Sequence, residues 1–311
     1  MAWISLPGGT ARTLEQKISD AGPYNQRIDP HILTDARKDL QDQGIVKSAH
    51  PSNTHWYFLD QTPTQTVQTR LAELEPIHKA LGEQSLTMRV GQALEIAVYK
   101  ALRSQDILLF MGHYLDLDSH DDAILYSKEE PPSSISGKTI PTKGKLDFIA
   151  IHTTGPVGIE CKNVREWQYP DRPEIRGLIY KCCCLDAVPV LIARRWPYVT
   201  FSVLGTCGVI LHQTYNQRLP SADSELAAKA KDKTLLGYHD IRLGNEPDSR
   251  LIRFVHTNLP GVLPTARERF DEYKDLLFDY GTGEKNYPEF AARVKRRMRG
   301  QPEDLPPFEE L

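Results

Sequence analysis

The sequence predicts an α/β fold: a mixed sheet flanked by helices, plus a small N-terminal domain of helices and a hairpin. Three observations lead there. Leu146–Ile151 and Val157–Cys161 are apolar runs either side of His152-Thr153-Thr154-Gly155-Pro156, which is turn chemistry, so they read as a β-hairpin. Val188–Ala193 and Cys207–Leu211 are β-branched apolar runs that suit buried, partly parallel strands. Helical periodicity precedes, separates and follows these strands.

Composition narrows the class. At 311 residues the chain has room for two or three domains, and 40% hydrophobic residues supply a sizeable core. No apolar run approaches the length of a membrane span, and Met1-Ala2-Trp3-Ile4-Ser5 is not a signal-peptide start. The expected compartment is the cytoplasm, with no membrane partner. Five cysteines occur without a CxxC pair, which argues against zinc and for buried reduced thiols. A net charge of −3 does not advertise a nucleic-acid binder, but it hides local distribution such as the basic run Arg293–Arg299.

In chain order, Thr13-Leu14-Glu15-Gln16 has the form of a capping box opening a short helix. Asp29-Pro30 starts a second helix as N-cap and N1, with Leu33, Ala36 and Leu40 recurring and Gly44 closing it. Ile45-Val46 and His55–Leu59 read as short strands. A helix follows over Pro63–Leu81, and another over Leu86–Leu102 with Val90, Leu94, Ala97, Val98 and Ala101 inward. Ile107–Met111 is a strand candidate. Leu115–Pro141 is a long polar loop whose Asp116, Asp118, Asp121 and Asp122 make either a second cation site or a solvated acidic loop. A helix is expected over Arg172–Ala187. Beyond Gln213, Tyr238–Leu243 and Leu251–Val255 are read as a strand pair, and Thr265–Tyr280 and Pro288–Arg299 as helices. The last residues, Gln301–Leu311, read as a mobile tail.

Charge on an apolar hairpin carries the functional argument. Asp147 opens the first strand, and the second ends Glu160-Cys161-Lys162. Alternation puts Glu160 and Lys162 on one face, where such charges need solvent or a use. Carboxylates of this kind can hold a hard divalent cation, which polarises a phosphoryl group and lowers the pKa of bound water. A helix opening Gly91-Gln92-Ala93-Leu94-Glu95 precedes the hairpin and carries a further acid. Helix-Glu, Asp and Glu-x-Lys in this order resemble the active site of the PD-(D/E)XK nuclease superfamily. Lys145-Leu146-Asp147 stands where the family has Pro-Asp, and the resemblance covers roughly residues 87–212. The order is also close to that of archaeal four-way-junction (Holliday-junction) resolvases and of restriction endonucleases.

That resemblance implies a restriction-endonuclease-like core and a Mg²⁺-dependent endodeoxyribonuclease that leaves 5′-phosphates. Glu95, Asp147, Glu160 and the carbonyl of Cys161 would hold Mg²⁺ or Mn²⁺, and Lys162 would orient the attacking water. DNA is the expected substrate, nothing visible separates it from RNA, and a homodimer is expected. The alternative is a catalytically silent nuclease-fold subunit that binds DNA or serves a protein partner. The N-terminal helices and hairpin, about Thr10–Gln61, resemble a winged helix-turn-helix domain. Its later helix would offer His31, Thr34, Arg37, Lys38 and Gln41 to DNA, or serve protein contact instead. Arg176 and Lys181 are further candidates for phosphate contact. The expected division is residues 1–63 as winged helix, 64–84 as linker helix, 85–215 as nuclease core and 216–311 as a C-terminal hairpin and helical extension.

Overall fold

The computed structural model describes residues 9–11, 13, 14, 18, 30–51, 54–118 and 122–303, with positions 30 and 31 as backbone only. The Asp29 cap, the His31 side chain, Asp121 and the end of the C-terminal tail lie outside the described residues; of the expected first helix, Ala11, Thr13, Leu14 and Ile18 are described and helical, and its cap is Thr10, whose Oγ1 accepts from the Thr13 N–H at 3.1 Å, rather than Thr13. The chain divides into two compact units: residues up to Val90 with Asn216–Gly244, and Gly91–Tyr215 with the residues from Asn245 on.

In the first unit, β1 (Gly9–Thr10) is followed by α1 (Pro30–Asp42), β2 (Val46–Ala49) and β3 (Trp56–Leu59). The three strands form an antiparallel sheet of order β1-β3-β2. Gly44, at φ +72°, turns the chain out of α1, as the sequence predicts for a glycine just past a helix end. Helix α1 does not present the expected face. Leu33, Arg37 and Leu40 turn inward, while Ala36 is exposed. The Arg37 guanidinium, expected to face outward, lies over the Tyr57 ring at 4.3 Å and donates to Gln41 Oε1 at 2.9 Å. Lys38 is exposed beside Asp35.

Helix α2 (Thr64–Leu81) and the start of α3 (Gln84–Arg103) complete this part, with Leu74, Ile77, Leu86 and Val90 packed on Trp56. The division between the units falls inside α3, after Val90.

The second unit is built on a five-stranded sheet. Its strands are β4 (Leu109–Met111), β9 (Phe148–His152), β10 (Gly155–Lys162), β11 (Val188–Ala193) and β12 (Ile210–Gln213), in the order β12-β11-β10-β9-β4. The short strands β5 (His113–Tyr114), β6 (Lys128–Glu129), β7 (Ser134–Ile135) and β8 (Lys138–Thr139) lie between β4 and β9 in sequence and pair β5 with β6 and β7 with β8. Strand β9 runs antiparallel to both β4 and β10, whereas β11 lies parallel to both β10 and β12. The parallel step needs a crossover, which α4 (Pro173–Leu185) supplies between β10 and β11. All six residues of β11 are buried, as the continuous apolar run predicts. Helix α5 (Tyr198–Thr206), which the sequence does not announce, makes the next crossover.

Small residues set how closely α4 approaches. A Cβ built on Gly158 would lie 2.5 Å from Cys182 Sγ on α4. Glycine there lets the helix settle on the face of β10 that also carries Glu160 and Lys162.

The chain then returns to the first unit through β13 (Gln217–Leu219), α6 (Ser224–Lys231) and β14 (Ile241–Leu243). Two sequence expectations change here. Strand β14 pairs in parallel with β13, not with residues 251–255, and the segment Asn216–Gly244 belongs to the first unit rather than to a C-terminal extension. Leu219, Ala227, Ala230, Tyr238 and Ile241 bury themselves with Trp56 and Leu74, which accounts for both. Residues 251–255 are helical. α7 (Ser249–Arg253) is capped by Asp248, which accepts from the Leu251 N–H at 2.9 Å, and runs through a π-helical turn, Phe254–Asn258, into α8 (Leu259–Thr282). Leu251, Val255, Leu259 and Leu263 are buried at four-residue spacing. Helix α9 (Tyr287–Met298) closes the unit.

Among the described residues no helix is long and apolar enough to cross a membrane. All five cysteines are free thiols, four of them buried.

Candidate active site

Four elements of the second unit bring charged side chains to one place. Helix α3 contributes Glu95, half-buried between the fully buried Leu94 and Ile96. Asp147 stands immediately before β9, where regular pairing with β10 stops. Its N–H donates to Ile159 O at 3.1 Å, and its Oδ2 accepts from the Cys161 N–H at 2.7 Å. The carboxylate thus satisfies a β10 donor that has no partner on β9. Glu160 is 8% exposed and is held by two lysines. Lys162 Nζ donates to its Oε1 at 2.8 Å, and Lys181 Nζ, from α4, to its Oε2 at 3.0 Å. Lys181 also donates to the Lys145 carbonyl at 2.6 Å.

Sequence patterning does not find the group that joins Glu95 to Asp147. Lys128, on β6, donates to Glu95 Oε2 at 2.7 Å and to Asp147 Oδ1 at 3.3 Å. Tyr114, its partner across the β5–β6 pair, donates from its hydroxyl to the same Glu95 Oε2 at 2.8 Å. Gly112, at φ +104°, makes the turn from β4 into β5, and a Cβ there would lie 2.8 Å from the Asp147 carbonyl oxygen. The only local sign in the sequence is a lysine within a polar, largely acidic loop.

Burial and repulsion govern the electrostatics. Burial first, then the charges of Glu95 and Glu160, push the Asp147 carboxyl up to about 7, and Lys128 only partly offsets them. Burial alone would lower Lys128, but Asp147 and Glu95 outweigh it and hold the ammonium well above its ordinary value. In Lys162, likewise, burial is outweighed by Glu160, which raises the pKa. Burial, reinforced by Glu95, keeps the Tyr114 phenol neutral and a donor. Burial also pushes the Cys161 thiol well up, with Asp147 and Glu95 adding to it.

The cluster therefore gathers hard oxygen donors that repel one another, a donor set suited to a divalent cation such as Mg²⁺ or Mn²⁺. In the arrangement present, among the described residues, no three acidic, histidine or cysteine side chains are placed to hold one metal ion. The Lys128 ammonium stands between Glu95 and Asp147 instead, and those of Lys162 and Lys181 flank Glu160.

The other sequence candidates are engaged elsewhere. Arg176 Nε donates to the Tyr280 carbonyl of α8 at 3.2 Å, and its guanidinium lies over the Tyr280 ring, so it braces α4 against α8. In the basic run of α9, Arg297 makes two 2.6 Å bonds to Asp275, and Arg293 pairs with Glu289. Asp116 accepts from the Ser127 N–H at 3.1 Å, which ties the segment after β5 to the segment before β6. No family model, no curated protein and no solved structure matches this chain.

Proposed function

We propose that the protein is a metal-dependent nuclease of the PD-(D/E)XK type, with a restriction-endonuclease-like core and DNA as its substrate. The observation that carries this reading is the meeting of Glu95, Asp147, Glu160 and Lys162 at the open end of the hairpin formed by β9 and β10. The succession α3, β4, β9, β10, α4, β11, with β10 and β11 parallel, supports this reading of the core.

Glu95, Asp147, Glu160 and the Cys161 carbonyl are the residues that would hold Mg²⁺ or Mn²⁺. When bound, the cation polarises a phosphoryl oxygen and lowers the pKa of a water. The protein's own residues supply position and charge. Lys162 keeps its proton, because Glu160 beside it raises its pKa, so it acts as a fixed cation rather than as a base. A fixed ammonium orients a water and stabilises the charge that grows on the phosphoryl oxygens. Lys181 holds the second oxygen of Glu160 and sets that carboxylate's orientation.

A second reading is a catalytically silent nuclease-fold subunit that serves a partner. Lys128 favours it, since an internal cation already partly neutralises the acids. Purified protein with Mg²⁺ against duplex, single-stranded and branched DNA and against RNA separates the two. Cleavage abolished by Asp147→Asn is the result expected. Absence of cleavage on every substrate, with Mg²⁺ bound, favours the silent subunit.

A further inference from the structure

We propose that Lys128 is a built-in cation that occupies the divalent-cation position in the metal-free protein and has to leave when metal binds. The inference rests on the nuclease reading and adds a regulatory element to that site. Glu95 Oε2 and Asp147 Oδ1, which would face the metal, both accept from one nitrogen, Lys128 Nζ. That nitrogen is well seated. Strand β6 is paired to β5, the side chain is 11% exposed, and the ammonium lies 5.5 Å from the centre of the Phe148 ring. An ammonium and a divalent cation cannot share the same two oxygens. Both need the lone pairs, and the like charges repel with little water between them.

The lysine has somewhere to go. Glu130 Oε2 stands 3.8 Å from Nζ, and the Glu130 side chain is 44% exposed. Rotation toward Glu130 lets the ammonium exchange two half-buried acids for one at the surface. Metal binding and Lys128 are then competitors, and the apparent metal affinity is the intrinsic affinity reduced by the fraction of molecules from which the lysine has already swung out. The two lysines on Glu160 do not play this part, because their ammonium groups are directed to Glu160 and the Lys145 carbonyl.

Calorimetric titration of the full-length protein with Mn²⁺ tests this. Lys128→Met should bind Mn²⁺ about tenfold more tightly than the parent, since the competing ammonium is gone. Lys128→Arg should show no gain, and Glu130→Gln, which removes the receiving charge, should bind more weakly. A second measurement needs no variant. Acylation of Lys128 by an amine-reactive ester, read by mass spectrometry, should rise several-fold when the parent protein is saturated with Mg²⁺. If the parent binds Mn²⁺, Lys128→Met binds it no more tightly and Lys128 acylation does not change, the competition is wrong and the nuclease reading stands. If neither parent nor folded Lys128→Met binds Mn²⁺, the cation site itself is wrong and both readings fall.

Discussion

Lys162 and Glu160 lie two residues apart on β10, and Lys162 Nζ donates to Glu160 Oε1 at 2.8 Å. The alternation of a strand puts both on one face, and the carboxylate fixes the ammonium in its charged form. Lys162→Ala leaves the three carboxylates in place, so Mn²⁺ and DNA should still bind. Turnover should fall by about 10²-fold or more, because the missing interaction is made chiefly in the transition state. Asp147→Asn should lose metal binding as well as cleavage. Single-turnover cleavage beside Mn²⁺ titration checks both, and a Lys162→Ala variant that cuts at the parent rate places the active site elsewhere.

Arg37 and Lys38 are sequence neighbours with different expected phenotypes. The Arg37 guanidinium is stacked on Tyr57, so Arg37→Ala should lower stability by about 1 kcal/mol with little effect on DNA affinity. Lys38 is exposed. If α1 approaches DNA, Lys38→Glu should weaken binding and reduce the log–log salt slope by about 1 for each phosphate that is no longer neutralised. Denaturant melts and binding at several salt concentrations separate the two effects.

Gly158 should not tolerate a side chain. A Cβ there would meet Cys182 Sγ at 2.5 Å and Leu146 Cδ1 at 2.9 Å. Gly158→Ala should destabilise the second unit by about 1–3 kcal/mol through overpacking. Cys182→Ala removes the sulfur in the way, so the double variant should be more stable than the sum of the single effects allows. Urea melts of the parent, the two single variants and the double variant measure that coupling.

His212 introduces a pH dependence away from the carboxylate cluster. Its ring stacks on Phe254 with centroids 4.0 Å apart, and burial lowers its pKa to about 4 despite the pull of Asp248. Between about pH 6.5 and 4 the unfolded chain binds a proton that the folded protein refuses. This contribution to stability is therefore complete above about pH 6.5 and is lost as the pH falls through 4, amounting to roughly 3 kcal/mol. Replacing His212 by Phe should flatten the fall in melting temperature over that interval. An unchanged fall assigns it to other groups.

Much of the site is legible in the sequence because its signals are local. Glu160 and Lys162 share a face through strand alternation, and Glu95 lies beside a stripe of Leu94, Ala97, Val98 and Ala101 that the helical period sends inward. The hairpin of β9 and β10 follows from two apolar runs about a turn, and the parallel burial of β11 from an unbroken apolar run. Residues 251–255 also carry a helical signal, an Asp248 cap followed by apolar positions four apart, which their β-branched content hides.

Tertiary structure alone decided which distant groups meet. Lys128 lies 33 residues from Glu95 and 19 from Asp147, in a loop with no periodicity to orient it, so only the pairing of β5 with β6 brings its ammonium to them. Ile241–Leu243 is recognisable as a strand, but its partner was settled by the shared core of Trp56, Leu219 and Tyr238. Arg37 was placed by the rotation of α1 on Tyr57, against its expected outward face. Backbone preference and hydrophobic period act over a few neighbouring residues, and they determined the elements and the faces of the strands. Charge pairing, strand partners and helix rotation depend on surfaces contributed by segments far apart in the chain, and those are defined only once the units have packed.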